Sequence, residues 1–245
     1  MSELNTTLPL KELPARRHRI TFSTARTLAY VSVLNLGTIW ERTLRRAHVP
    51  VKYSQGYNPR PKLQFARPLP TGCGGEAEWI DVWLDEAWTS KQIEEALRGK
   101  TPQDLTVKDA QPVPEDEPTL QQQVVATTYQ TLLRDIDPTV VCERVEALLA
   151  AETLMRPKRG RRRNKMYDLR PLVKAIELTE PPDGWDVALR LDLTALPGAT
   201  GRPDEVLKAL ELADAPRRCT RLKIYLGKKK SNVSEISDFS EESPK

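Results

Sequence analysis

The chain has 245 residues, enough for two modest domains that each bury a core of their own. Its apolar fraction of 39% and charged fraction of 29% are typical of an ordinary globular protein, and no apolar run approaches the ~20 residues that span a bilayer. The net charge of +4 is too small to indicate a polyanion ligand by itself, so the distribution of charge matters more than its sum.

Cysteine and histidine usage argues against several classes of enzyme. Cys73, Cys142 and Cys219 are widely spaced and odd in number, which argues against a disulfide framework and favours a reducing compartment. His18 and His48 have no cysteine or second histidine nearby, so local spacing predicts no metal site. The N-terminal segment also lacks the basic start and apolar core of a secretory signal. We therefore expect a cytoplasmic protein that needs no metal and no cofactor.

The first half of the chain predicts elements in the order βαββαβ, after a flexible leader at residues 1–15. Ile20 and Phe22 alternate with polar residues as in a strand, and the apolar residues after Leu34 follow the helical repeat until Pro50. The patterns predict a strand from residue 17, a helix at 34–47, strands at 62–66 and 78–85, a helix at 91–99 and a strand at 105–113. We assign residues 16–111 to a first domain.

An acidic, proline-rich segment at 112–119 predicts a linker, since proline breaks helices and central strands. Beyond it the same order of elements returns. The patterns predict a strand at 121–133, a helix at 140–152, strands within 166–178 and 185–193, a helix at 203–212 and a strand at 222–226. The expected fold class is α+β, with two tandem ferredoxin-like βαββαβ domains (16–111 and 120–227) that have antiparallel sheets. The serine-rich, acidic segment at 228–245 predicts a disordered tail.

The stretch at 41–72 joins a basic helix end to a loop rich in glycine, proline, tyrosine and asparagine. Cations, flat rings and amides together are the chemistry of single-stranded nucleic-acid recognition. The predicted binding residues here are Arg42, Arg45, Arg46, Lys52, Tyr53, Ser54, Gln55, Tyr57, Asn58, Arg60 and Lys62. The competing interpretation is a stiff loop whose tyrosines fill the core and whose arginines are only solvated.

A second basic cluster at 156–165 surrounds Gly160 and predicts a hairpin tip between two strands. A solvated loop tolerates charge this dense but gains no stability from it. Binding of a polyanion to the loop would instead release counterions, which favours the complex. The predicted binding residues are Lys158, Arg159, Arg161, Arg162, Arg163 and Lys165.

Catalytic patterns are weak. Four acidic residues lie close together on a predicted strand, where carboxylates usually face water: Glu76, Glu78, Asp81 and Asp85. No phosphate-binding glycine loop, dinucleotide fingerprint or nucleophile elbow occurs, so we assign no catalytic residue.

The segment YVSVLNLGTIWERTLRRAHVPVKYSQGYNPRPKLQFARPLPTG resembles the opening motif of the radical-SAM-associated (radical-SAM-linked) protein family, a domain of unknown biochemical function. Further similarity lies in EAEWIDVWL, KMYDLRPLV and RPDEVLKAL. Members occur beside, or fused to, cobalamin-binding radical S-adenosylmethionine proteins, so the resemblance implies a partner of that kind. Radical S-adenosylmethionine enzymes hold an iron–sulfur cluster with closely spaced cysteines, and the three distant cysteines of this chain cannot do so. The resemblance therefore implies that this chain accompanies such an enzyme. Where the family commonly has His and Asp, this chain has Val33 and Asn35, and Arg60 replaces a further His.

The leading hypothesis is a non-catalytic accessory module that binds RNA beside a radical S-adenosylmethionine protein. A first alternative is a protein-interaction domain that docks this partner through the surface at 41–72 without nucleic acid. A second alternative is an RNA-processing or RNA-modifying enzyme, although the chain has few histidines and no compact pair of nucleophile and base.

Overall fold

The computed structural model describes residues 10–158 and 165–227. Residues 1–9 of the predicted leader and the predicted tail at 228–245 lie outside this range. The rest of the leader includes a short 3-10 turn, Leu10–Glu12, whose Lys11 ammonium forms ion pairs with Glu94 and Asp109. In the described residues, no helix combines the length and the apolar composition needed to span a bilayer.

The first half contains four strands and two helices: β1 (Ala15–Thr24), α1 (Val33–Arg46), β2 (Leu63–Phe65), β3 (Cys73–Trp88), α2 (Ser90–Leu97) and β4 (Leu105–Pro112). Both helices begin at a side chain that accepts a hydrogen bond from the first turn. The Asn35 amide donates to Ser32 Oγ over 3.2 Å, and the Gln92 amide donates to Thr89 Oγ1 over 3.2 Å. These caps explain why the predicted helices start where they do.

The second half contains α3 (Leu120–Gln123), β5 (Val124–Leu133), α4 (Pro138–Ala150), β6 (Met155–Pro157), β7 (Met166–Asp168), β8 (Val173–Thr179), β9 (Val187–Leu196), β10 (Ala199–Thr200), α5 (Pro203–Ala209) and β11 (Arg217–Leu226). The sequence predicts a strand from residue 121, but the start of that segment is helical instead. Thr119 and Gln122 form a capping box, which favours a helical turn before β5 begins.

Nine strands form one large, mostly antiparallel sheet. The strands of the first half lie in the order β2-β3-β1-β4, and those of the second half in the order β8-β9-β5-β11, with β10 at the edge of β9. The two sets meet where β3 pairs with β11 in parallel, with Cys73 opposite Cys219 and Gly75 opposite Arg221. Together with five α-helices in the described residues, the sheet makes the protein a mixed α+β structure.

The sequence predicts a separate sheet in each half, and the pairing of β3 with β11 joins the two. The cause is the length of β3, which has 16 residues, whereas β2 covers one edge of it only between Ile80 and Val82. The first three residues of β3 therefore remain open on that edge, and β11 pairs with them. No local sequence pattern marks such an open edge.

Each half has its own apolar core, and a smaller cluster joins them. Phe22 and Trp40 pack edge to face in the first core, with ring centroids 5.0 Å apart. The second core lies mainly between β9, β5, α4 and α5. The joining cluster takes side chains from both halves: Ala66, Leu120, Val124, Ala195 and Ile224, with Trp79 and Leu226 packed against them. The two halves are thus continuous through side chains as well as backbone.

Candidate nucleic-acid interface

Residues 52–62 form a short hairpin, the aromatic hairpin, whose two legs bond to each other and to β3. The Lys52 amide donates to the Trp83 carbonyl over 2.7 Å, and the Trp83 amide donates to the Lys62 carbonyl over 3.2 Å. The Lys62 amide in turn donates to the Lys52 carbonyl over 2.7 Å. Nearer the tip, Ser54 exchanges two bonds with Arg60, since its amide donates to the Arg60 carbonyl and its Oγ accepts from the Arg60 amide. These hydrogen bonds order the backbone of the aromatic hairpin even when no ligand is bound.

The tyrosines of the aromatic hairpin point into solvent. Tyr57 is 100% exposed and Tyr53 is 40% exposed, and Ser54, Gln55 and Asn58 are exposed as well. The interpretation in which these rings fill the core is therefore wrong. Exposed rings on an ordered backbone present flat apolar faces to any ligand that approaches.

Six exposed cations lie on the aromatic hairpin and on the helix that precedes it in the chain. Arg42, Arg45 and Arg46 are exposed on the last turns of α1, and Lys52, Arg60 and Lys62 are exposed on the hairpin. The Lys62 ammonium lies 4.6 Å from the centroid of the Trp83 ring. Within residues 10–158 and 165–227, none of the six forms a salt bridge with a carboxylate. Their charge is thus available to an anion from outside.

The second basic cluster lies at the end of the two-stranded sheet β6–β7. The predicted hairpin is confirmed at its base, where the Lys158 amide donates to the Lys165 carbonyl over 2.8 Å and both lysines are exposed. Arg159, Arg161, Arg162 and Arg163 lie outside the described residues. We call residues 158–165 the basic arm.

The aromatic hairpin and the β6–β7 hairpin contact different elements of the protein. The aromatic hairpin bonds to Trp83, whereas the β6–β7 hairpin contacts α5 through Arg156 and Glu205, 3.8 Å apart. Residues of α5 border a cavity beside Cys73, at the start of β3. Trp83 lies ten positions after Cys73 on β3, which corresponds to roughly 33 Å of strand. The base of the aromatic hairpin is therefore attached to β3, whereas the base of the β6–β7 hairpin is attached to α5.

Two buried ion pairs in the sheet were missed by the sequence analysis, which expected the carboxylates of β3 to face water. Glu78 and Asp81 are 3% and 0% exposed. The Arg221 guanidinium donates to Glu78 Oε1 over 2.8 Å, and the Arg17 guanidinium donates to Asp81 Oδ2 over 2.7 Å. Arg19 donates to both oxygens of Asp81. Although burial opposes its charge, the facing Glu78 carboxylate raises the pKa of Arg221.

One sequence signal could have revealed the buried Asp81. It stands between Trp79 and Trp83 on the same face of β3, and a carboxylate flanked by two large rings is poorly placed for solvation. Arg17 and Arg19 lie opposite this segment on β1, where Arg17 pairs with Trp83 and Arg19 with Asp81. These groups support the sheet beneath the aromatic hairpin.

No curated protein matches the chain. Among solved structures, the chain is similar to one in the crystal structure of a Cbf5-Nop10-Gar1 complex, at 12% identity and with a TM-score of 0.47. The similarity covers 88% of this chain and 50% of the other, so the protein spans about half the length of that neighbour. Neither result names a radical S-adenosylmethionine protein. The model of a family described as an uncharacterized protein conserved in bacteria (DUF2344) matches residues 17–203, and the chain therefore belongs to this family.

Proposed function

We propose that the protein is a non-catalytic accessory module that binds RNA through the aromatic hairpin and the basic arm. The observation that carries this proposal is the full exposure of Tyr57 on a hydrogen-bonded hairpin, with six exposed cations on the hairpin and on α1 that form no salt bridge within the described residues. An apolar ring held in water gains nothing for the fold, whereas a nucleobase that stacks on it contributes about 1–3 kcal/mol of binding free energy.

The two basic regions have different roles in this proposal. Tyr53, Tyr57 and Asn58 offer stacking faces and directed hydrogen bonds, so they discriminate between strands. Because the hairpin backbone is already ordered, little conformational entropy is lost on binding. The basic arm is dominated by charge and has no aromatic residue, and it contributes affinity that is independent of sequence and falls with added salt.

Fluorescence titration with structured and single-stranded RNA at two salt concentrations tests this division. A Tyr53→Ala, Tyr57→Ala, Asn58→Ala variant is expected to lose at least about tenfold in affinity for single strands, by an amount that depends on the RNA. An Arg161→Ala, Arg162→Ala, Arg163→Ala variant is expected to weaken binding of all polyanions alike and to flatten the salt dependence.

Tyr30→Ala is the matched control, because Tyr30 is 73% exposed but lies beside the cavity at the start of β3. It is expected to leave RNA affinity unchanged. Thermal melting checks that each variant is folded. If wild-type protein binds neither kind of RNA at low salt, the RNA proposal is wrong.

We also propose a radical S-adenosylmethionine protein as the partner, which rests on the resemblance of residues 30–72 to the family that accompanies such proteins. Docking of this partner without nucleic acid is the competing function, and one observation favours it. Leu34 is 79% exposed at the start of α1, near the exposed Tyr30, so apolar surface is available to a protein. A pull-down of the partner that survives nuclease treatment and is abolished by Leu34→Glu supports docking over RNA binding.

For the architecture, we propose two ferredoxin-like units at 16–111 and 120–227, joined by the linker at 112–119, in a cytoplasmic protein. The strand orders β2-β3-β1-β4 and β8-β9-β5-β11 support this division, since β1 lies beside β3 at the centre of one half and β5 lies beside β9 at the centre of the other.

A further inference from the structure

Two cysteines that are far apart in sequence meet where the two halves of the sheet join. Cys73 on β3 and Cys219 on β11 are partners in the parallel register, and their sulfur atoms lie 2.7 Å apart as free thiols. Neighbouring strands place paired Cα atoms about 5 Å apart, which is within the range that a disulfide spans. Partners in register also project to the same face of the sheet.

We propose that Cys73 and Cys219 are a redox-active dithiol that small disulfides, such as oxidised glutathione, convert into a bond between the two halves of the protein. This inference does not depend on RNA binding. Its site lies at the start of β3, whereas the aromatic hairpin is attached at Trp83.

A cavity gives small molecules access to the pair. It has a volume of about 380 Å³ and is bordered by both cysteines together with Thr71, Asp204, Leu207 and Arg217. Cys73 is 1% exposed, whereas Cys219 is half-buried, so Cys219 is the sulfur that an incoming disulfide meets first. The exposed Arg217 places positive charge at the entrance, which suits the carboxylates of a peptide disulfide.

The electrostatics give the two sulfurs different roles. The hydrogen bond with Cys73 lowers the pKa of Cys219, and the charges of Arg217 and Arg221 act in the same direction. The same hydrogen bond, together with burial, raises the pKa of Cys73. Cys219 is therefore the attacking thiolate and Cys73 the resolving thiol.

The reaction balances in two exchange steps. The Cys219 thiolate attacks one sulfur of the small disulfide, forms a mixed disulfide and releases one small thiolate, which takes up a proton. Cys73 then loses its proton and attacks the Cys219 sulfur, which releases the second small thiol. Two protein thiols and one small disulfide become one protein disulfide and two small thiols. The protein is oxidised by two electrons, and the small disulfide is reduced by two.

The bond would close a loop of 146 residues and fix the three-residue parallel contact between β3 and β11. Cross-links of this length reduce the freedom of the unfolded chain most strongly. The oxidised protein is therefore expected to melt at a higher temperature than the reduced protein, by more than about 4 °C.

The test uses the full chain carrying Cys142→Ser, which removes the third thiol. After incubation with oxidised glutathione, the protein is quenched in acid, unfolded, treated with iodoacetamide and weighed by mass spectrometry. The expected product has lost two hydrogens, carries neither alkyl group nor glutathione, and yields a cross-linked peptide containing Cys73 and Cys219. Dithiothreitol is expected to reverse both the mass change and the rise in melting temperature.

Two variants separate the roles of the sulfurs. Cys73→Ala is expected to trap a glutathione adduct on Cys219, and Cys219→Ser is expected to leave Cys73 unmodified, with no change in melting temperature on oxidation. Should either variant fail to fold, peptide mapping of the Cys142→Ser protein decides alone. Full alkylation of both thiols after oxidation, or a stable adduct on Cys219 while Cys73 is present, overturns the proposal.

Discussion

At the level of single residues, the fold is constrained most strongly by the charged side chains that are buried inside the sheet. Arg221 and Glu78 are 1% and 3% exposed, and Arg221 also donates to the carbonyl of Arg67 over 2.9 Å. A buried charge is tolerated only when a partner and hydrogen bonds replace its water. Arg221 therefore connects β11 to β3 and to the segment after the aromatic hairpin.

Arg221→Met is expected to lower the free energy of unfolding by about 3–5 kcal/mol, because it leaves the Glu78 carboxylate buried without its partner. Adding Glu78→Gln removes that charge and is expected to recover much of the loss. Lys223→Met on the same strand is the control, since Lys223 is exposed. Urea unfolding of the four proteins measures the effect. A loss below about 1 kcal/mol in Arg221→Met contradicts this account of the pair.

His18 is expected to make the stability of the protein depend on pH. It is fully buried, and burial lowers the pKa of His18 from 6.5 to about 4. Between these two values the unfolded chain binds a proton that the folded protein does not, so the free energy of unfolding falls as pH drops from 6.5 to 4.

Removing His18 is expected to reduce this pH dependence. Urea unfolding of His18→Leu at several pH values is expected to show a shallower decline below pH 6.5 than wild type, whatever the change in stability at neutral pH. His48→Asn is the control because His48 is exposed at a φ of 55°, which asparagine tolerates. Equal slopes in His18→Leu and wild type would show that His18 does not titrate in this range.

Among the segments, the predicted linker is held more firmly than its composition suggests. The buried Arg17 guanidinium donates to the carbonyls of Pro114, Glu117 and Pro118, while one of its nitrogens also bonds Asp81. A planar group with five donors can serve all four acceptors, whereas an ammonium cannot. Residues 114–118 are therefore tied to β1.

Arg17→Lys is expected to release this segment while leaving Asp81 paired with Arg19. Cleavage after Glu115 or Glu117 by a glutamate-specific protease is expected to become roughly tenfold faster under native conditions, since local opening exposes the backbone. Arg16→Lys is the matched control, because Arg16 is next to Arg17 in the sequence but is exposed. Equal cleavage rates for the two variants would mean that Arg17 does not hold the linker.

The protein as a whole is expected to unfold in one step, although each half of the chain has its own apolar core. The joining apolar cluster, the pair of Arg221 with Glu78 and the contact of β3 with β11 all cross between the halves. Differential scanning calorimetry is expected to give a single transition whose calorimetric and van't Hoff enthalpies agree. Two resolved transitions would show that the halves are energetically independent.

Much of the element order was predictable because its signals are local. Ile80, Val82 and Leu84 alternate in the sequence and are buried on one face of β3, and the apolar repeat after Ser32 became α1. The exposed tyrosines were predicted as candidates from residue types alone, but their exposure was not. Whether Tyr57 enters the core or the solvent depends on hydrogen bonds between the hairpin and Trp83, which lies more than 20 residues away.

Local periodicity and capping residues were sufficient to predict a mixed α+β protein and to locate its two basic segments. Tertiary structure alone decided that both halves share one sheet, that Glu78 and Asp81 are buried with arginines, and that Cys73 meets Cys219. The physical reason is sequence distance. Periodicity reports the face on which a side chain lies, but its partner on that face is chosen by pairing between strands that are 62 to 146 residues apart here, which no local pattern encodes.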